Sequence, residues 1–255
     1  MPFLWRNKLY SIQVSVLIYI SKTFPNTMKK ILKMGHRGAK GCEPENTLIS
    51  FQKAIDLGAD GIELDVHLSH DGEIMVIHDE TIDRTTNGKG FVNKYSLQEL
   101  KSFRIQKEQQ IPELSEVFDL VNQRCFINIE LKGSATAKPV IELINWYVSE
   151  KNWNYHQFLI SSFDWKMLEK VHFLNPKIRI GVLTGHSIEQ ALAFAKKIKA
   201  FSIHPKYGLV SKENVVLMQE NGFEVYPWTV NAKDAIQKIK SFDVNGIISD
   251  FPDKI

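Results

Sequence analysis

From Lys30 onward the chain alternates short apolar runs with segments of helical spacing. Short apolar runs bounded by polar or turn residues read as buried strands, and apolar positions three and four apart read as one face of a helix. The run at 31–34 leads into Gly35-His36-Arg37-Gly38. Leu48, Phe51 and Ile55 then follow at helical spacing up to Gly58, with Glu45 or Asn46 as the candidate cap. Residues 61–79 read as strand, tight turn at Asp71-Gly72, and strand. Residues 84–111 are largely polar and predict a long loop with one short helix near 97–103. A helix is expected to start at Pro112 and run to Val121. Strands at 126–131, 158–161, 178–183, 200–203, 225–230 and 246–248 alternate with helices at 140–147, 165–173, 188–197, 212–219 and 232–240. Counted this way, about eight strands are each followed by a helix, the pattern of a (β/α)8 barrel. A doubly wound sheet shows the same alternation, but there is no GxGxxG or GxxxxGKS loop to support its nucleotide-binding form.

Composition narrows the class. A chain of 255 residues, 44% apolar and 24% charged, is long enough for a barrel-sized core, and it shows neither repeats nor low-complexity segments. The net charge of +3 misleads, because six basic and no acidic residues precede Met34, leaving 26 basic against 29 acidic residues after it. No basic stretch runs through the body, which argues against nucleic acid as a partner. Cys42 and Cys125 have no metal-ligand spacing and read as free thiols of a reducing compartment. Arg6 and Lys8 precede an apolar run at 9–20 that is short for a membrane span, and no small-x-small cleavage site follows it. We therefore read residues 1–27 as an extension outside the fold, with Met28 as the natural start, one domain over 28–255 and a cytoplasmic location. The alternative is a secreted or membrane-anchored protein in which 1–27 is a targeting segment; membrane contact is expected only through that segment.

The chemistry concentrates at 61–79. Ile62, Leu64 and Val66 alternate with Glu63 and Asp65, so two acids share one face of a strand whose other face is apolar. Burying them is costly without a cation or hydrogen-bond donors. Glu130 and Lys132 share a face in NIELK. In a barrel, these strand ends would meet at one rim. Glu63, Asp65 and Glu130 then offer three hard oxygen ligands with no cysteine nearby, which suits one divalent cation, Mg²⁺ or Ca²⁺, better than zinc. With that cation, and with Arg37 and Lys132 holding the phosphoryl oxygens of a phosphodiester, the charges balance to zero. His36 and His78 are the candidate base and acid, since imidazole titrates near neutral pH.

These residues fall in GHRG (35–38), PENT (44–47), ELDVHLSHDGEIMVIHD (63–79), RTTNGKG (84–90), NIELK (128–132), ISSF (160–163), PWTVN (227–231) and GIISDFPD (246–253). In this order the motifs resemble those of the glycerophosphodiester phosphodiesterase family, and the likeness extends from about Lys30 to Pro252. The resemblance implies a TIM barrel with a small insertion after the second strand, here 84–111. It implies hydrolysis of glycerophosphodiesters to glycerol 3-phosphate and an alcohol, with Ca²⁺ or Mg²⁺. It places the catalytic histidines at His36 and His78, metal carboxylates at Glu63, Asp65 and Glu130, phosphate contacts at Arg37 and Lys132, and a substrate-side aromatic at Trp228. Asn245 stands where the family often has Asp, with no catalytic consequence expected.

Structural readings compete at several positions. His156, His172 and His186 carry no assigned role, and His70 reads as an exposed turn residue. His67, which shares parity with Glu63 and Asp65, could line the site but reads rather as solvent-facing or as hairpin packing. His204 could either pack or touch substrate, Glu45 could be a helix-terminal acid, and Asn46 a cap. Glu63 and Asp65 could form a buried salt bridge with Arg37 or Lys132, but three acids outnumber two bases. Two other functions fit the same barrel: a lysophospholipase D or phospholipase-type phosphodiesterase, and a non-catalytic phosphodiester-binding barrel. An exposed apolar surface on 84–111 would favour the lipid-cleaving alternative.

Overall fold

Eight strands curl into one parallel barrel in the computed structural model, which describes residues 30–133 and 135–255. The readings on residues 1–27 and on the start at Met28 fall outside the described residues. The barrel strands are β1 (Leu32–Gly35), β2 (Gly61–Leu68), β4 (Phe126–Leu131), β5 (Phe158–Ser162), β6 (Arg179–Thr184), β7 (Ser202–Pro205), β8 (Glu224–Val225) and β9 (Gly246–Ser249). They pair in the order β8-β7-β6-β5-β4-β2-β1-β9. Between β8 and β9 the ring closes through Asn245 N–H to the Val225 carbonyl (3.2 Å) and Ile248 N–H to the Pro227 carbonyl (3.0 Å). Around it lie α1 (Leu48–Asp56), α3 (Leu114–Val121), α4 (Ala137–Glu150), α5 (Trp165–Leu174), α6 (Ile188–Ile198), α7 (Lys212–Glu220) and α8 (Lys233–Lys240). The TIM barrel expected from strand–helix alternation is the observed fold. No helix among the described residues is long and apolar enough to cross a membrane.

The period-two alternation of β2 divides its side chains between two environments. Ile62, Leu64 and Val66 point outward into the fully buried layer shared with the helices, where Phe51, Val117 and Phe118 also lie. Glu63 and Asp65 point inward. The lower barrel interior is filled by an apolar plug of Met34, Leu159, Tyr226 and Ile248. Polar side chains therefore gather at the opposite end, where the strands finish and their loops meet.

Several boundaries differ from the sequence reading, each for a local reason. Strands β5, β6 and β7 extend through Ser162, Thr184 and Pro205, because polar residues at the barrel mouth continue the ladder beyond the apolar run. The predicted strand at 225–230 contracts to Glu224–Val225, since Pro227 has no N–H to donate. Helix α3 begins at Leu114 rather than Pro112, whose carbonyl instead accepts from Val76 N–H at 2.8 Å. Helix α4 is longer than expected, reaching from Ala137 to Glu150. Neither Glu45 nor Asn46 caps α1; Thr47 does, accepting from Ser50 N–H.

The expected hairpin is present: strand β3 (Ile74–Val76) runs antiparallel to β2, with Val66 opposite Val76. The short helix expected near 97–103 is α2 (Leu97–Ser102), whose Ser96 and Glu99 form a reciprocal capping box. The correction in 84–111 is that the segment is packed rather than a loop with little structure of its own. Met75, Ile77, Ile82, Val92, Leu100, Ile105 and Ile111 form a separate buried cluster beneath it. Too sparse for a recognisable period, these apolar residues nevertheless converge on one small core. Leu100→Ala, which empties a fully buried site in that core, is expected to destabilise the protein by about 2–4 kcal/mol. Chemical denaturation of the purified variant measures this.

Candidate active site

Strand register delivers three acids to one point at the mouth of the barrel. Asp65 on β2 lies opposite Glu130 on β4, and Glu63 opposite Asn128. All point inward, and each of Glu63, Asp65 and Glu130 is at most 9% exposed. One oxygen from each carboxylate falls within 4.8 Å of the other two. Burial and repulsion from Asp65 and Glu130 lift the Glu63 carboxyl well above its usual range, with Arg37 only partly offsetting them. Burial and Asp65 likewise push Glu130 up to about 7, against the pull of Lys132.

The sequence-predicted bases join this cluster. Lys132 Nζ donates to Glu130 Oε1 at 2.9 Å and lies 3.8 Å from Asp65 Oδ1. Arg37 Nε lies 3.4 Å from Asp65 Oδ2, and its backbone N–H donates to Glu63 Oε2 at 2.9 Å. That contact needs Arg37 at a left-handed φ of 50°, an unfavourable conformation for a side chain with Cβ. But Arg37 is also committed to Glu45, with Nη1 donating to Oε1 at 2.7 Å. Its charge is thus shared, and the acid excess is larger than the sequence count implied. Four of the five unpartnered buried side-chain atoms among the described residues belong to Arg37, Asn46, Asn128 and Ser161, around this cluster. Mutually repelling carboxylates and unspent polar atoms fit a hard divalent cation: the donors are oxygen only, and two positive charges would relieve the repulsion.

His36 and His78 both reach the cavity that Glu63, Glu130 and Lys132 line. His36 extends β1, its N–H donating to the Ser249 carbonyl at 2.9 Å. His78 is brought in by the β2–β3 hairpin, where Ile77 N–H donates to the Asp65 carbonyl at 3.0 Å. Each imidazole holds a carboxylate through Nδ1: His36 with Asp250 and His78 with Asp79, both at 2.6 Å. With Nδ1–H donating, Nε2 is left for proton exchange. Lys132 Nζ lies 3.2 Å from His78 Nε2. Burial lowers the pKa of His78, and Arg37 and Lys132 add to this against Asp65 and Asp79.

Trp228 lines the same cavity, and its ring meets Phe163 edge to face at 5.3 Å. His67 is buried and packs in the hairpin, its Nε2 3.1 Å from the His78 carbonyl. His204 resolves as packing: it is fully buried, its Nε2 contacts Ser202 Oγ at 2.8 Å, and burial depresses its pKa to about 3. Gly181 makes room for that ring, since a Cβ there would come within 2.5 Å of His204 Nε2.

The sequence reading gave no role to the acids behind the histidines or to the network around Glu45. Glu45 accepts from both Arg37 and Arg84, and these bonds hold its carboxyl at about 2 against the upward push of burial. Asn46 donates to Asp65 Oδ2 at 2.9 Å from a φ of 56°. Asp79 directly follows His78, and Asp250 lies in the last strand's motif, but only the fold shows which acid meets which imidazole.

Comparison with known proteins agrees with the fold. The sequence profile of the glycerophosphoryl diester phosphodiesterase family matches residues 36–254. A glycerophosphodiester phosphodiesterase of Caldanaerobacter subterraneus subsp. tengcongensis is 39% identical over 237 residues, covering 89% of this chain and 96% of the relative. One from Bacillus altitudinis is 42% identical, covering 86% of this chain and 94% of the relative. Among solved structures, an Oleispira antarctica phosphodiesterase in complex with the product sn-glycerol-3-phosphate superposes with a TM-score of 0.79 at 27% identity, covering 87% of this chain and 94% of that one. A glycerophosphodiester phosphodiesterase from Thermotoga maritima gives 0.75 at 31% identity, covering 88% and 96%.

The raised carboxyls set a pH signature. An acid that holds its proton more tightly folded than unfolded favours the fold at low pH and loses that advantage as pH rises. Without divalent cations, stability is expected to fall as pH rises from 4.5, the ordinary value for Glu130, through about 7, its value in the fold. Glu45 acts with the opposite sign, and its contribution is lost as pH falls from 4.5 toward about 2. Saturating divalent cation is expected to raise Tm and flatten the higher-pH decline. Melting curves across this range, with EDTA or with added divalent chloride, measure both effects; a flat EDTA series contradicts the acid-cluster account.

Proposed function

The chain belongs to the glycerophosphoryl diester phosphodiesterase family, and on that footing we propose that it hydrolyses glycerophosphodiesters to glycerol 3-phosphate and an alcohol. The observation carrying this reading is the meeting of two carboxylate-held imidazoles, two cations and three acids around one cavity. Glu63, Asp65 and Glu130 are the assigned ligands of one divalent cation, Mg²⁺ or Ca²⁺, because the set is all oxygen. When bound, the cation supplies Lewis-acid polarisation of the phosphoryl group.

The chain's own residues do the rest. Arg37 and Lys132 take the phosphoryl oxygens by charge-assisted hydrogen bonds. Trp228 and Phe163 wall the substrate. His36 is assigned as base toward the attacking oxygen, and His78 as acid toward the departing alcohol. In the free protein, burial disfavours the His78 imidazolium, and Arg37 and Lys132 disfavour it further. Relative to the cation-loaded protein without substrate, a bound phosphodiester anion engages those two cations and adds negative charge nearby, which favours the protonated His78 an acid needs. The attacking oxygen is either a neighbouring glycerol hydroxyl, giving a cyclic phosphate that water then opens, or water directly.

The apolar side chains of the insertion support a small soluble substrate over a lysophospholipid. Ile82, Val92, Leu100, Ile105 and Ile111 are buried in their own cluster, and Phe91 is the large apolar side chain left exposed there among the described residues. A binding-only barrel would not need two imidazoles, each backed by an acid. Free Cys42 and Cys125 support a reducing, cytoplasmic location.

His36→Ala and His78→Ala are each expected to lower kcat for glycerophosphocholine by about 10²–10⁴-fold. Their divalent-cation affinity, read by calorimetry, should stay near that of the unmodified protein. Full turnover by either variant would refute its acid–base role. EDTA should abolish release of glycerol 3-phosphate, and the more effective of Mg²⁺ and Ca²⁺ on add-back identifies the working ion.

A further inference from the structure

The end of the barrel opposite the acid cluster carries a surface that the catalytic reading leaves unused. Helices return against the strands, so the last turns of α4, α5 and α6 lie at the strands' N-terminal end, away from the mouth. Asn175 Nδ2, just past α5, donates to Asn145 Oδ1 near the end of α4 at 2.7 Å, which brings these two helix ends together. Lys197 Nζ on α6 donates to Glu169 Oε1 on α5 at 2.5 Å and adds the third.

Apolar side chains stand free on this end. Phe173 and Leu174, the last residues of α5, are 85% and 43% exposed, and Trp146 on α4 is 47% exposed. Phe173 is the most exposed large apolar side chain among the described residues. Packing gives no reason for a phenylalanine presented to water at a helix tip, and grouped exposed apolar side chains mark contact surfaces.

Basic residues frame the group. Lys151 Nζ lies over the Trp146 ring, 5.3 Å from its centre, and Lys177 Nζ lies over Tyr155 at 5.7 Å. Lys170 and Arg179 are exposed on the α5 side, and Lys196, Lys197 and Lys199 on the α6 side. Of the 26 basic and 29 acidic residues after Met34, residues 145–151, 169–179 and 196–201 hold seven and two, leaving 19 and 27 for the rest. This end is therefore positive on a body whose remainder is negative. Lysine in a last helical turn complements the helix dipole, but that preference does not place three exposed apolar side chains among the lysines. No single stretch shows the excess, because the fold assembles it from three; the sequence accordingly gave membrane contact only through 1–27.

We propose that this end of the barrel is a docking surface for an anionic phospholipid bilayer, with Phe173, Leu174 and Trp146 entering the headgroup layer and the surrounding lysines pairing with lipid phosphates. Apolar and aromatic side chains ringed by basic ones are the composition of interfacial membrane contacts. Nucleic acid matches the lysines but offers Leu174 nothing apolar to bury against. Docked this way, the mouth and its acids face water, away from the negative lipid surface. The surface shares no residue with the assigned catalytic groups and does not depend on the phosphodiesterase reading.

Flotation of the full chain with vesicles tests this. Phosphatidylcholine vesicles containing about one-third phosphatidylglycerol should carry the protein at least about tenfold more tightly than phosphatidylcholine alone, and rising salt should weaken the binding. Lys177→Gln combined with Lys199→Gln should weaken it by about tenfold or more, at about fivefold per charge. Phe173→Ser should weaken it by about tenfold at unchanged charge, and Phe173→Trp should retain it. These side chains are exposed, so Tm and turnover of glycerophosphocholine in solution should match those of the unmodified protein. The proposal is overturned if the unmodified protein does not float, if it binds neutral vesicles equally well, or if the Gln and Ser variants float as well as it does. Binding of a labelled oligonucleotide through the same lysines, unaffected by Phe173→Ser and without vesicle binding, would overturn it in favour of nucleic acid. Absence of turnover in the unmodified protein would count against the phosphodiesterase reading alone, and failure to float against this surface alone.

Discussion

The constraint that organises this molecule is the repulsion of three carboxylates packed into a low-dielectric space. Register puts Asp65 beside Glu130, and parity puts Glu63 on the same inward face. Water cannot screen charges buried this deeply, and Arg37 and Lys132 supply only part of the compensation. A fold that pays this cost while its outward-facing Ile62, Leu64 and Val66 are fully packed is giving up stability at one place for charge density there. A divalent cation would supply the positive charge that Arg37 and Lys132 only partly provide.

The two imidazoles assigned to proton transfer in the proposed reading depend on different elements for position. His36 is a continuation of β1, fixed by its ladder contact with β9. His78 lies outside the barrel ladder and is carried in by the β2–β3 hairpin. The hairpin is pinned on both sides: Ile77 to the Asp65 carbonyl, and the His67 ring to the His78 carbonyl. Each imidazole then finds an acid for its Nδ1, so one orientation and one tautomer are favoured at both positions.

Most of the site was legible because strand periodicity is strict. Two acids at alternate positions of an apolar strand have few other meanings, and the same holds for Glu130 and Lys132. Alternation by itself equally allowed a doubly wound sheet; the count of about eight strand–helix units and the motif resemblance favoured the barrel. What escaped was whatever depends on loops meeting in three dimensions. Asp79 and Asp250 are far apart in sequence, and no pattern says that each will back an imidazole. Glu45 and Asn46 looked like a helix start, and the helix does begin there, but with Thr47 as the cap; the preceding two side chains turn inward toward Arg37 and Asp65. The small core under 84–111 was hidden because its apolar members are spaced without a period and converge only when the segment folds back on itself.

The Glu45–Arg84–Asp79 network matters for geometry as well as for stability. The Arg84 side chain is 48% exposed, but its partner Glu45 is only 10% exposed, so solvent screens that pair only in part. Arg84 grips two carboxylates at once, Asp79 through Nε at 2.7 Å and Glu45 through Nη2 at 2.7 Å. Glu45 in turn holds Arg37, and Asp79 holds His78. The insertion is therefore tied to the β1–α1 loop through side chains one step removed from the assigned phosphate and proton-transfer groups. A shift of the insertion would move His78 relative to Arg37, and small displacements of reacting groups are costly in rate. The network's value lies in the distance it keeps between those two residues, a quantity that a stability measurement alone would miss.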